Sequence, residues 1–227
     1  MAVFSIIHQD SGFAVTAGDA PLLTPGKKPL SVPTKALADA ISAEWKAHGK
    51  YVPGKMPLTS LAYTAIDQIA QQKPLIVESL MVYIDTDALS YRATSSEKLA
   101  TQQLEQWNPV LKWVGDLLGA KWEVTSGVMP IDQSPALYKA MEKRLKALDA
   151  MSLAACCMFA SGFSSLALML ATLEKHVDAA EAFRLSRLEE ESQAETWGRD
   201  AEADSRAARL KEEILSAAEF LRLLAKD

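Results

Sequence analysis

The sequence predicts an α+β fold, with a small N-terminal β-sheet and its helices over residues 1–73 and a larger all-α helical bundle over 74–227. Three observations carry this reading. Residues 2–7 (AVFSII) and 12–17 (GFAVTA) are β-branched and aromatic runs separated by the polar turn HQDS, the pattern of a hairpin. From Pro74 onward apolar residues recur almost wholly at spacings of three and four, the period of a helix. A hydrophobic content of 49% beside 23% charged residues is ordinary for a folded chain, and 227 residues suffice for a sizeable core.

The elements follow in order. After the hairpin, Gly18-Asp19 forms a second turn, and PLLTPGKKPLSVPT, punctuated by Pro and Gly, reads as strand, turn and strand at a sheet edge. Thr34 can cap a helix over about 35–48, with Leu37, Ile41 and Trp45 on its buried face and Gly49 as its stop. A second helix follows Pro57, burying Leu61, Ala62, Ala65, Ile66 and Ile69; both helices are expected to cover one side of the sheet. Pro74 suits the first turn of a helix running to about Tyr91. Leu104, Trp107, Leu111, Val114 and Leu118 continue a helical stripe that Pro109 should bend or restart. Residues 121–129 (KWEVTSGVM) read as an extended connection, after which Leu137, Met141, Leu145 and Leu148 resume the helical period. Leu210, Ile214, Ala217, Leu221 and Leu224 close the chain with a helix that packs back on the bundle. No Gly/Ser tether separates the two domains, so they are expected to share a fixed interface.

The uncharged run Ala150–Leu173 is long enough to span a bilayer. Its serines and the central Ser161-Gly162 pair favour two buried helices with a break between them, and a chain that does not span the membrane. The formal charge of −5 and the lack of a basic run argue against nucleic acid or an anionic membrane surface as the main partner. Cys156 and Cys157 are adjacent in an apolar run and read as small buried hydrophobes in a reducing compartment. The N-terminus has neither a signal peptide nor an Arg-rich presequence, which fits the bacterial cytoplasm, or the mitochondrial matrix for a processed form.

Chemistry is sparsely supplied. His8, His48 and His176 have no second histidine at ligand spacing, and no Gly-rich phosphate loop or nucleophile elbow occurs, so neither a metal nor a cofactor is expected. The sharpest cluster is Asp85, Asp87, Tyr91 and Arg92 in YIDTDALSYRA. If helical, it places Asp87 and Tyr91 on one face and Asp85 two turns from Arg92. Paired carboxylates can do acid/base work, which makes an enzyme of unknown substrate the alternative reading. A buried ion pair that orients helices is the stronger one. Trp45, Trp107 and Trp113 sit on apolar stripes and read as core.

Residues 185–202 (LSRLEEESQAETWGRDAE) are the exception to this bland picture. Read as one helix with Gly198 inside it, the segment aligns Glu190, Gln193, Trp197, Asp200 and Asp204 in one anionic stripe bearing an indole. Such a stripe is either a solvated face whose Trp packs inward or a docking surface for a basic protein partner.

Several stretches, in order along the chain, resemble the F1-ATPase assembly chaperones that hold the newly made α subunit. They are TPGKKPLSVPT (24–34), AEW (43–45), MPLTSLAYTAID (56–67), YIDTDALSYRA (83–93), QWNPVLKW (106–113), VTSGVMPIDQ (124–133) and LEEESQAETWG (188–198). The chain departs from the family pattern at GDAPLLTP, which lacks the basic residue before the TP pair, and at Ser60 and Tyr63, where Arg and Asn are expected. The resemblance implies a monomeric, non-enzymatic chaperone. It would shield the β-facing surface of the ATP synthase F1 α subunit until β replaces it, without nucleotide hydrolysis. It further implies a partner-binding role for Glu190, Gln193 and Trp197, with Glu191 and Asp200 at the margin. Trp45, Asp85, Asp87, Arg92 and Gly198 are expected to be structural or linked to the partner.

Overall fold

The computed structural model describes residues 3–9, 12–127 and 129–225. Strands β1 (Phe4–Gln9) and β2 (Gly12–Ala17) pair antiparallel, with Phe4 opposite Ala17 and Gln9 opposite Gly12. β3 (Ala20–Pro21) and β4 (Ser31–Val32) both pair with β2, and a bridge between Leu23 and Pro29 closes the Pro-rich edge segment. Gly12 has φ 125°, and a Cβ there would lie 2.5 Å from the Val32 carbonyl oxygen, so only glycine lets β4 approach. Asp67 holds the TPGKK loop, accepting from the Thr24 hydroxyl at 2.7 Å and the Gly26 N–H at 2.8 Å.

Helix α1 (Lys35–His48) begins at Thr34, whose hydroxyl accepts from the Leu37 N–H, and ends at Gly49 with φ 71°. Leu37, Ala38, Ile41 and Trp45 are buried, and the Trp45 ring lies 5.7 Å from that of Phe4. α2 (Pro57–Thr64) starts without a side-chain cap from its own Met56. Glu44 of α1 supplies one: its carboxylate accepts the Leu58 and Thr59 N–H groups at 2.9 Å and the Thr59 hydroxyl at 2.6 Å. Glu44→Ala is therefore expected to destabilise the fold by about 2 kcal/mol, leaving first-turn donors without an acceptor. A lowered denaturant midpoint with unchanged far-UV dichroism checks this; an unchanged midpoint refutes it.

A π-helical turn over Ala65–Ile69 leads into α3 (Ala70–Met81), which Gln72 interrupts at φ −127° and ψ 25° just before Pro74. The helix expected to reach Tyr91 stops at Met81. Beyond it lie 3₁₀ turns at Val82–Ile84 and Ala88–Ser90, then β5 (Tyr91–Arg92). Asp87, at φ −58° and ψ 124°, keeps the segment around it from being helical: its carboxylate accepts the Leu89 N–H at 3.0 Å, a local bond that competes with a helical turn.

α4 (Glu97–Leu118) is capped by Ser96, stops at Gly119, and runs through Pro109 without the expected restart. Pro109 and Glu105 both face solvent, where water can serve the carbonyl that proline leaves without its donor. Trp107, Val110, Leu111 and Val114 are buried as the stripe requires, whereas Leu104 is exposed. β6 (Thr125–Ser126) pairs in parallel with β5, so the expected extended connection contains a short strand. α5 (Pro135–Ala147) follows, burying Leu137, Met141 and Leu145.

The uncharged run forms α6 (Ala150–Phe163) and α7 (Leu166–Leu173). Their break falls at Ser164, with φ 51°, and Ser165, whose hydroxyl caps the Leu168 N–H at 3.0 Å. It lies just past the Ser161-Gly162 pair; a Cβ at Gly162, inside α6, would come within 2.9 Å of the Ile214 Cδ1. No helix among the described residues is long and apolar enough to cross a membrane. α8 (Ala179–Ser186), α9 (Leu188–Trp197) and α10 (Ala201–Leu224) complete the chain.

The chain divides into two compact units, one drawn from residues 1–73, 148–155 and 216–227, the other from 74–147 and 156–215. In the first, the Thr34 hydroxyl donates to the Leu223 carbonyl at 2.9 Å, joining the end of α10 to the start of α1. In the second, α4 is the central element, packing against α5, α7 and α9.

Candidate functional site

Trp197 ends α9 with 85% of its surface exposed, so the inward-packing reading of this residue fails. The helix is anchored at its other end by Leu188, which is buried, and along its side by Lys98 of α4, whose ammonium meets Glu195 at 2.7 Å. That hydrogen bond and charge hold the Glu195 carboxyl below its ordinary range. Glu189, Glu190 and Glu191 crowd the first turn, where the positive end of the helix dipole favours carboxylates. A rigid, acidic helix thus projects an indole into solvent.

The single long stripe is corrected by the structure. Gly198, at φ 93° and ψ 160°, is not inside a helix but ends α9, and α10 starts afresh at Ala201. Glu190, Gln193 and Trp197 keep their common face; Asp200 and Asp204 do not extend it. The Asp200 carboxylate accepts the Glu202 N–H at 2.9 Å, capping α10. Arg199 bridges the break, meeting Glu191 at 2.6 Å and Asp204 at 3.2 Å, and these pairings raise its pKa further. Glu191 is thereby turned toward the break, and Glu190 is paired with Arg187 at 2.7 Å. Periodicity did not reveal the roles of Lys98 and Arg199, because their partners lie on another helix and across a helix break.

The YIDTDALSYRA cluster is a set of internal ties. Asp87 is fully buried; it accepts the Leu89 and Ala167 N–H groups at 3.0 Å, while the Ala88 N–H donates to the Ser164 carbonyl at 2.9 Å. Burial pushes the Asp87 carboxyl up to about 6 against the pull of these donors and of the Ser165 hydroxyl. The expected pairing of Asp85 with Arg92 does not form. Asp85 accepts from the Tyr138 hydroxyl and from the Gln133 N–H at 3.1 Å. Arg92 donates to the Asn108 side-chain oxygen at 2.7 Å and lies 5.1 Å above the Trp107 ring. Burial lowers the Arg92 pKa, with the Asp87 charge opposing. Nor do Asp87 and Tyr91 share a helix face, since the segment is not helical; the Tyr91 hydroxyl donates to the Asp85 carbonyl at 2.6 Å. Trp45 is in the core of the other unit, and Trp113 stacks on His176 with ring centroids 4.2 Å apart.

Two features that the sequence shows apart meet here. Glu190 and Gln193 of α9 and Tyr91 of the internal cluster line one cavity of about 380 Å³, with Trp107 and Phe163 among its walls. Among the described residues no group of three or more His, Cys, Asp or Glu side chains is placed to hold a metal. What the surface offers is contact area, negative charge and hydrogen-bonding groups, the equipment of a protein that binds another protein.

The comparisons with known proteins specify the class further. The sequence model of a family described as ATP12 chaperone protein matches residues 3–115. The crystal structure of Atp12 from Paracoccus denitrificans is 39% identical, with a TM-score of 0.93 over 98% of this chain and 96% of that one. A substituted mutant of the same P. denitrificans protein matches to the same degree. The Atu1473 protein of Agrobacterium tumefaciens, described as a candidate chaperone, is 35% identical, with a TM-score of 0.91 over 97% of this chain and 84% of that one. The chain belongs to the ATP12 chaperone family.

Proposed function

We propose that this chaperone serves assembly of the F1 sector of ATP synthase by binding the unassembled α subunit and shielding its β-facing surface until β replaces it. It works as a monomer and without nucleotide hydrolysis. The observation that carries the reading is Trp197, a large indole held in solvent at the end of an acidic helix. A subunit awaiting its neighbour exposes a broad interface that aggregates unless covered. An aromatic anchor with carboxylates gives a contact that steers, holds and can be exchanged. Glu190, Gln193 and Trp197 form the contact, and Glu191 and Asp200 support it from the break. Asp85 and Asp87, on which the enzyme alternative rests, are engaged in internal ties, which favours the binding reading.

Mixing the purified α subunit with this chain tests the reading. A complex that excess β dissociates is the expected result; no complex, or a complex indifferent to Glu190→Lys, overturns it. Because the surface is anionic, association with α should slow by about tenfold or more as salt rises from low to physiological strength, with little change in dissociation. Stopped-flow measurement across a salt series checks this, and a flat association rate contradicts it.

A further inference from the structure

The cavity beside α9 has walls of two kinds. Tyr91 is the aromatic side chain that keeps partial exposure there, since Trp107 and Phe163 are buried behind the wall and Arg92 lies over the Trp107 ring. Glu189 and Glu190 bring carboxylates to the same space, where the Arg187 guanidinium opposes them. At about 380 Å³ it is near the lower end of the range for small-molecule sites, ample for one long side chain and small for a folded segment. The two carboxylates favour a cation, which gains charge-assisted hydrogen bonds there beside the Tyr91 ring. A carboxylate or phosphate would face repulsion from Glu189 and Glu190. A purely apolar side chain would leave both charges without a partner on desolvation.

The Glu190 carboxylate is held by Arg187 three residues earlier, and both side chains keep partial access to solvent at 46% and 28% exposure. An exposed pair of this kind contributes little stability and exchanges readily. Glu189 forms no ion pair among the described residues. The cavity therefore already contains its own stand-in for a cationic guest.

We propose that this cavity receives one cationic side chain of the bound α subunit, which takes Glu190 from Arg187, so that Arg187 acts as an internal competitor. This rests on the reading of α9 as the surface that binds α. Three variants separate the two claims by their affinity for purified α. Ala88→Leu fills the cavity without touching a carboxylate and is expected to weaken binding at least about tenfold. Glu190→Gln removes the charge and is expected to weaken it to a similar extent. Arg187→Gln frees Glu190 and is expected to tighten binding severalfold, where a residue that merely positioned Glu190 would weaken it on removal. Thermal unfolding shows which variants fold, and Ser186→Leu, from another wall of the cavity, replaces Ala88→Leu if that one does not.

Wild-type affinity in a cavity-filled, folded variant overturns the proposal and leaves the α-binding reading intact. So does weaker binding by Arg187→Gln. Loss with Ala88→Leu but none with Glu190→Gln means that an apolar side chain enters, which also overturns it. Failure of the wild-type chain to bind α at all defeats the underlying reading instead.

Discussion

Replacing Trp197 with alanine is expected to weaken binding of the purified F1 α subunit by about thirtyfold or more, the scale of an interface hot spot worth 2 kcal/mol. The unfolding midpoint should stay where it is. The two halves of this expectation have one cause, since a side chain 85% exposed contributes little to the fold and has nearly all its area left to bury against a partner. Trp107 makes the internal control. It is buried, and its indole N–H donates to the Leu185 carbonyl at 2.9 Å, so Trp107→Ala should cost about 3–5 kcal/mol of stability. Trp197→Phe should recover part of the affinity because it restores an aromatic face. Calorimetric titration with α, beside denaturant unfolding of each variant, reads both quantities. Equal affinity of wild type and Trp197→Ala would remove the indole from the function.

How far the sequence disclosed this can be judged residue by residue. Thr34, Gly49 and the β-branched and aromatic runs at 2–7 and 12–17 pointed to the first helix and the hairpin, because caps, left-handed glycines and strand composition are local properties. Local reasoning failed where a partner distant in sequence decided the conformation. Asp87 sits in a non-helical turn tied to Ala167, eighty residues on, which supplies an N–H. α2 has no cap of its own because Glu44 provides it. Pro109 did not break α4, since its cost falls on the water-facing side of a helix whose other side packs well.

At the site, periodicity placed Glu190, Gln193 and Trp197 together correctly. It carried the stripe too far, because a glycine within a helical pattern does not announce whether it interrupts the helix. Here φ 93° at Gly198 does, and Arg199 pairs across the break. The cavity was beyond reach: it needs Tyr91 and Gln193 side by side, and nothing in either stretch points to the other.

Asp87 yields the other large effect. Its carboxyl titrates near 6 when folded against an ordinary 3.8, raised by burial. The folded state therefore holds the proton more tightly than the unfolded one, and the charged form is a burden on the fold. Near pH 7 and above that burden amounts to about 3 kcal/mol; it diminishes as pH falls and is gone below about pH 3, where both states are protonated. Asp87→Asn cannot titrate, so wild type should gain on this variant by about 2 kcal/mol between pH 7 and pH 4. Taking the difference between the two chains cancels every other titrating group. A difference that stays constant from pH 7 to pH 4 would show that Asp87 is not the group responsible.

The burden accompanies structural work that a side chain without carboxyl oxygens cannot do. The two oxygens of Asp87 accept N–H groups from the 3₁₀ turn and from the first turn of α7, and next to it the Ala88 N–H binds the Ser164 carbonyl. Asp87→Ala strips both donors of their acceptor and should destabilise by about 2 kcal/mol at pH 7, with a larger loss at pH 4. Ala88 and Ser164 are also walls of the cavity beside Glu190, so the same ties fix the shape of the space that α9 overlooks. A folded Asp87→Ala chain should accordingly bind α less well than wild type even though Trp197 and Glu190 are untouched.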